Sequence, residues 1–137
     1  MIKKITLVIP IHNEINNLKI LIPELINNIK IINNDFEIIL VNDFSTDDSL
    51  KFCNSLITKD LNYEIKIINF VKRSGQSGAF KEAFKIATGE YIIKMDADMQ
   101  DHPKDIKLFI NKINENYDVI IGDRVMRKHN LFLFLAG

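Results

Sequence analysis

Five apolar runs alternate with stretches of helical periodicity along the chain, and this alternation leaves few folds open. "KITLVIPI" (Lys4–Ile11), "FEIILVN" (Phe36–Asn42), "EIKIINF" (Glu64–Phe70), "EYIIKM" and "YDVIIG" each read as a strand. Between the first two, Leu18, Leu21, Ile22, Leu25 and Ile29 fall at helical spacing over Ile15–Ile32. "STDDS" offers capping residues for a second helix from Asp47 to Thr58, with Leu50, Cys53 and Ile57 inward and Asp47 and Asp48 at its positive end. After the loop "VKRSGQSG", Ala79–Ala87 reads as a third helix, stopped at Thr88-Gly89. Pro103 stands just inside the start of a fourth, Lys104–Asn116. Strands that are apolar throughout are covered on both faces, so the expected class is α/β: a doubly wound, mostly parallel sheet with helices on both faces.

Composition narrows the function less than the fold. At 137 residues the chain suits one domain, 1–137, with a real core. Basic and acidic side chains balance at 18 each, which gives no sign of a nucleic-acid partner. The single cysteine, Cys53, builds neither a disulfide framework nor a zinc site, and a small buried thiol is its expected role. The basic start and short apolar run of "MIKKITLVIPIHNE" are broken by Pro10 and lack a small-residue cleavage site, so no signal peptide is expected. No run approaches the ~20 apolar residues of a membrane span. A cytoplasmic chain is therefore expected. "VMRKHNLFLFLAG" (125–137) nevertheless pairs a basic cluster with an apolar run, the pattern of either an interfacial helix or a core helix.

In doubly wound sheets ligands sit beyond the carboxyl ends of the strands, where the winding reverses. Four polar clusters fall at such ends: "HNE", "NDFSTDD", "KRSGQSG" and "DADMQD". The last is the sharpest, because Asp96 and Asp98 are one residue apart where a strand opens into a loop, with Gln100 and Asp101 close behind. All-oxygen donors suit hard cations, and Mg²⁺ is usually held by one or two carboxylates together with substrate phosphates. Asp101 or His102 is expected to cap the helix that begins at Pro103, which accounts for one acid but not three. "GQSG" is neither a Walker loop nor a dinucleotide fingerprint, and the turn after the first strand, "PIHNE", is not Gly-rich. A receiver domain would want its paired acids after the first strand.

"LVIPIHNE", "ILVNDFSTDDS", "RSGQSGAFKEAFKIATGEYIIKMDADMQDHP" and "VIIGDR" resemble, in order and approximate spacing, the motifs of family 2 glycosyltransferases. The branch most similar contains dolichol-phosphate mannosyltransferase and bacterial undecaprenyl-phosphate sugar transferases. The resemblance covers nearly the whole chain and implies a GT-A fold, with a Rossmann-like part that binds a nucleotide-diphospho-sugar. It implies that Pro10, His12 and Glu14 line the base and ribose. Asp43 would bond the base with Asn42 beside it, and Gly75 and Gln76 would form a loop near the nucleotide. By the same likeness Asp96, Asp98 and Gln100 match a DxDxQ triplet, with Ala97 between, that holds Mg²⁺ or Mn²⁺ and the diphosphate. Arg124 matches a basic residue of a GxR segment and joins Asp96 and Asp98 as catalytic.

The implied partners are a GDP- or UDP-sugar donor and a lipid-phosphate acceptor at the cytoplasmic membrane face, and a homo-oligomer is compatible with the sequence. An inverting transfer is suggested by the resemblance. Relatives usually carry Gly where this chain has Phe44, and often Asn where it has Arg73. Lys72 and Arg73 suit phosphate contact and loop solvation equally. Relatives continue past the position of Gly137 with acceptor-binding segments. Two further functions stay open: a non-catalytic nucleotide-sugar-binding module, and a sugar nucleotidyltransferase, which would want a Gly-rich basic loop after the first strand.

Overall fold

The structure, a computed structural model, describes residues 4–32, 34–57, 63–115 and 117–122. Four strands form one parallel sheet: β1 (Ile5–Ile11), β2 (Phe36–Asn42), β3 (Glu64–Asn69) and β4 (Tyr91–Lys94), in spatial order β3-β2-β1-β4. The register pairs Ile5 with Phe36 and Tyr91, and Glu37 with Glu64. The helices are α1 (Ile15–Ile31), α2 (Ser49–Ser55), α3 (Gly75–Ile86) and α4 (Ile106–Ile113), the last preceded by a 3₁₀ turn at Pro103–Asp105. The crossovers through α1 and α2 move along the sheet in one direction, and the crossover through α3 moves back past β1. Right-handed connections running in opposite directions leave their helices on opposite faces, which makes the sheet doubly wound.

Alternation along the central strands feeds two cores. Val8, Ile39 and Val41 turn toward α3 and pack with its Ala79 and Ala83, flanked by Ile68, Phe70 and Phe80. Ile5, Leu7, Ile9, Ile11, Ile38 and Leu40 alternate with these and are buried on the other face. α1 buries Leu18, Leu21, Ile22, Leu25 and Ile29, the stripe its spacing predicts. Pro23 interrupts its ladder on the exposed side.

The chain divides into two compact units between Lys107 and Leu108. In the second, Gly122 lies against the ring of Phe109, where an added Cβ would sit 2.9 Å from Cζ. "YDVIIG" forms no strand there, contrary to its pattern: Val119 is 75% exposed and Ile121 86%. β-Propensity is expressed only through pairing and burial, and among the described residues these have no ladder. α2 is also shorter than expected, ending at Ser55 with Ile57 exposed and Cys53 buried. Burial pushes the Cys53 thiol up to about 11, which leaves it inert as a nucleophile. No described helix is long and apolar enough to cross a membrane. The 125–137 segment and Arg124 lie outside the described residues.

A polar cluster joins the amino ends of the strands. Glu37, fully buried, accepts from the Thr6 hydroxyl at 2.6 Å, the Thr88 N–H and hydroxyl at 3.0 Å each, and the Lys66 ammonium. Burial alone would raise its pKa; the bonds from Lys66, Thr6 and Thr88 outweigh that and hold it at about 2. The bond from Lys66 to Glu37 raises the pKa of Lys66 in turn. Gly89 closes the cluster by donating its N–H to Thr6 Oγ1 at 3.0 Å.

Candidate functional site

At the carboxyl ends of the strands, β2 and β4 flank β1, and the helices that follow β1 and β3 leave toward opposite faces. An open cleft lies at this reversal point. Pro10, His12 and Glu14 line it from the end of β1, Asp43 from β2, and Asp96, Ala97 and Asp98 from β4. Gly75 and Gln76 line it from α3, and Ile11 and Arg73, absent from the expected set, line it too. Asn42 and Gln100 do not line the cleft. Asn42 is buried beneath the rim, donating to Asn69 Oδ1 at 2.8 Å, with its own Oδ1 unpartnered.

Asp43 organises one side. Its Oδ1 accepts the Ser74 N–H at 2.7 Å and its Oδ2 the Gly75 N–H at 2.9 Å, with Arg73 Nε 3.5 Å from Oδ2. These bonds satisfy amides that the start of α3 cannot satisfy itself. They explain why the helix begins at Gly75 rather than at Ala79: its cap comes from 31 and 32 residues away. Gly75 adopts φ +71, a conformation that glycine takes without strain.

The two loops after β1 and β2 are stitched together by Asn13, which adopts φ +55. Its Oδ1 accepts from the N–H groups of Thr46 and Asp47, at 2.7 and 3.3 Å, and its own N–H donates to Ser45 Oγ at 3.0 Å. Glu14 N–H donates to Ser49 Oγ at 3.0 Å. Asp47 accepts from the N–H groups of Ser49 and Ile15. Burial pushes the Asp47 carboxyl up, and the bonds from Ser49 and Ile15 more than offset this, leaving it below the usual range. Asp48, expected to share the capping, makes no side-chain cap bond and is exposed. His12 Nδ1 lies 2.9 Å from the Asp43 carbonyl oxygen. A carbonyl only accepts, so Nδ1 carries a proton and is the donor in this bond.

The "DADMQD" loop is self-bonded. Asp96 N–H donates to Asp101 Oδ2 at 2.9 Å, and Gln100 N–H to Asp98 Oδ1 at 3.0 Å, while Met99 takes φ +64. Asp101 thereby closes this loop, and His102, at the cap position of the next helix, makes no side-chain cap bond. Pro103 opens that helix as its fixed φ favours. Asp96 is half-buried beside Lys94, whose Nζ is 3.3 Å from Oδ1, and Asp98 is exposed. Among the described residues no three His, Cys, Asp or Glu side chains are grouped to hold a metal ion.

A family model described as glycosyl transferase family 2 matches residues 6–135. An undecaprenyl-phosphate 4-deoxy-4-formamido-L-arabinose transferase of Yersinia enterocolitica is 34% identical over 131 residues, which are 96% of this chain and 40% of the relative. The protein of the same description from Klebsiella pneumoniae is 30% identical over the same shares. Among solved structures, S. aureus TarS 1-349 in complex with UDP-GlcNAc matches with a TM-score of 0.66 at 22% identity, over 82% of this chain and 31% of that one. The mannosyltransferase PcManGT from Pyrobaculum calidifontis, in complex with GDP-Man and Mn2+, matches with a TM-score of 0.61 at 22% identity, over 72% and 28%. The chain spans about 40% of the length of the curated relatives it matches.

Proposed function

The chain belongs to glycosyl transferase family 2, and from that membership we propose that it carries the donor-binding part of a transferase. The enzyme would move a sugar from a nucleotide-diphospho-sugar to a polyprenyl phosphate. One observation carries this most directly: the acids after β2 and β4, 53 residues apart in sequence from Asp43 to Asp96, line a single cleft at the reversal point of the sheet. The curated relatives transfer a sugar to undecaprenyl phosphate according to their descriptions, and the two solved relatives were captured with UDP-GlcNAc and GDP-Man.

The base and ribose are assigned to the β1–β2 side, against Pro10, His12, Glu14 and Asp43, with Gly75 and Gln76 alongside. Asn42, buried beneath Asp43, supports that side from below. The diphosphate is assigned to the β4 side, at Asp96, Ala97 and Asp98. Two carboxylates in an all-oxygen set, short of a full shell, fit Mg²⁺ or Mn²⁺ completed by donor phosphates. Asp98 and Asp96 would hold that ion, with Gln100 supporting the loop through its N–H bond to Asp98. When bound, the ion supplies charge stabilisation to the departing diphosphate. In the transfer, an acceptor phosphate oxygen forms a bond to the sugar's anomeric carbon as the bond to the β-phosphate oxygen breaks, inverting that carbon and releasing the nucleoside diphosphate. The attacking oxygen is already anionic near neutral pH, so the cleft needs no general base. Arg124 is proposed to meet the phosphate charge. A lipid acceptor places the working enzyme peripherally on the cytoplasmic membrane face.

Calorimetric titration of the chain with UDP- and GDP-sugars, with and without Mn²⁺, tests this. Mn²⁺-dependent binding of at least one donor is expected, and Asp98→Asn should weaken it by ~10–100-fold while leaving the unfolding midpoint unchanged. Absence of any sugar-nucleotide binding in the presence of Mn²⁺ would sink the proposal. Donor binding without transfer when polyprenyl phosphate is supplied would favour a binding module.

A further inference from the structure

Lys94 ends β4 and leads straight into the acidic loop. Its register position opposite Val8 puts it on the face of the sheet that α3 covers. There its Nζ lies 3.3 Å from Asp96 Oδ1 and 5.4 Å from the centroid of the Phe80 ring. One turn earlier on α3, Gln76 Nε2 stands 3.5 Å from the same Asp96 oxygen. Gln76 of α3 and the last residue of β4 therefore converge on one carboxylate of the cleft, with Phe80 beside the ammonium.

The charges of the cleft give this arrangement a consequence. Glu14, Asp43, Asp96 and Asp98 line it against Arg73. Arg73 lies beside Asp43, at 3.5 Å, and Lys94 lies beside Asp96, so each of these two acids has its own basic neighbour while Asp98 is left at the exposed position. A divalent cation that approaches Asp96 meets an ammonium already on its Oδ1, and like charges a few ångströms apart repel. The Phe80 ring, already 5.4 Å from the ammonium, leaves it a favourable contact when it is displaced from Asp96, because an aromatic face attracts a cation.

We propose that Lys94 is a built-in competitor for the divalent cation. It neutralises Asp96 in the empty cleft and yields the carboxylate only when the donor's diphosphate arrives with the cation. Cation binding is thereby coupled to nucleotide binding, and the cleft does not fill with metal alone. The inference rests on the metal-assisted function proposed above.

Mn²⁺ binding to the full chain, followed by the paramagnetic resonance signal of the free ion, needs no turnover. Without nucleotide, Lys94→Met should bind Mn²⁺ on the order of tenfold more tightly than the parent. The gap should narrow when UDP or GDP is present, and Lys94→Arg should behave as the parent does. In an Asp96→Asn background Lys94→Met should make no difference, which separates competition at this carboxylate from a general change in charge. If the parent binds Mn²⁺ with nucleotide but Lys94→Met stays within twofold of the parent when nucleotide is absent, this inference alone is overturned. A gain that persists in Asp96→Asn overturns it as well. If neither parent nor variant binds Mn²⁺ with UDP or GDP, this inference and the metal-assisted function fall together.

Discussion

At the amino ends of the strands, Glu37 is fully buried and takes bonds from Thr6, Lys66 and Thr88, so that three separate segments converge on one carboxylate. At the carboxyl ends, Asp98 is exposed, Asp96 is half-buried beside Lys94, and the acids outnumber the bases that line the cleft. The two ends share a sheet and a residue type, yet the surroundings decide what each carboxylate does. A carboxylate with its lone pairs filled by the fold stabilises the fold; one held at an open rim is available to a ligand. The amino end should therefore answer to stability measurements and the carboxyl end to binding measurements.

The largest effect expected from breaking that contrast is at Glu37. Glu37→Ala leaves a half-buried ammonium and two hydroxyls without their acceptor and should cost about 3–5 kcal/mol in urea unfolding. Acid should show the same dependence in the parent. The folded pKa of about 2 lies below the ordinary 4.5, so the contribution is fully present above pH 4.5 and is lost as pH falls toward about 2. That gap amounts to roughly 3 kcal/mol. Glu37→Gln should flatten the profile over this window, and an unchanged profile would remove Glu37 from the account.

Two glycines sharpen the contrast at smaller scale. At Gly89 an added Cβ would stand 2.6 Å from the Thr6 backbone nitrogen and 2.7 Å from its hydroxyl, so Gly89→Ala should destabilise by ~1–3 kcal/mol. At Gly75 nothing lies within 4 Å, and only the φ of +71 resists a side chain, so Gly75→Ala should cost about 1 kcal/mol. Equal costs measured by denaturant midpoints would show that close approach at the amino end is relieved elsewhere.

The smallest expected effect has the opposite sign. Phe44 holds φ +57 with its side chain 46% exposed, so the turn after Asp43 keeps a shape suited to glycine. Phe44→Gly should stabilise by up to about 1 kcal/mol, the relief of strain being partly offset by a freer unfolded chain. A thermal midpoint that falls would mean the ring contributes packing that its exposure does not suggest.

Much of this was legible in the sequence, for reasons that differ by element. The four strands and the stripe of α1 were visible because burial on both faces demands unbroken apolar runs and a helix face demands a fixed period. The rim acids were visible because they interrupt those runs where strands end. Glu37 was not: a single acid inside "FEIILVN" reads as part of the strand, and its partners lie 29 to 51 residues away. Residues 117–122 misled in the other direction, with the composition of a strand and no ladder among the described residues. Arg73 suited phosphate contact and loop solvation equally in sequence, and nothing there singled out Lys94; the fold set each beside an acid.

The sequence by itself determined the class of fold, the likeness to family 2 transferases and which strand ends bear polar groups, because periodicity and local residue type encode these directly. Only the tertiary structure decided the rest. It made Asp43 the cap of a helix that begins 32 residues later, paired Lys94 with Asp96, and turned one glutamate into a lock while leaving another acid open. Those outcomes depend on distances between groups remote in the chain, and electrostatic and hydrogen-bond energies follow distance and burial, not sequence order.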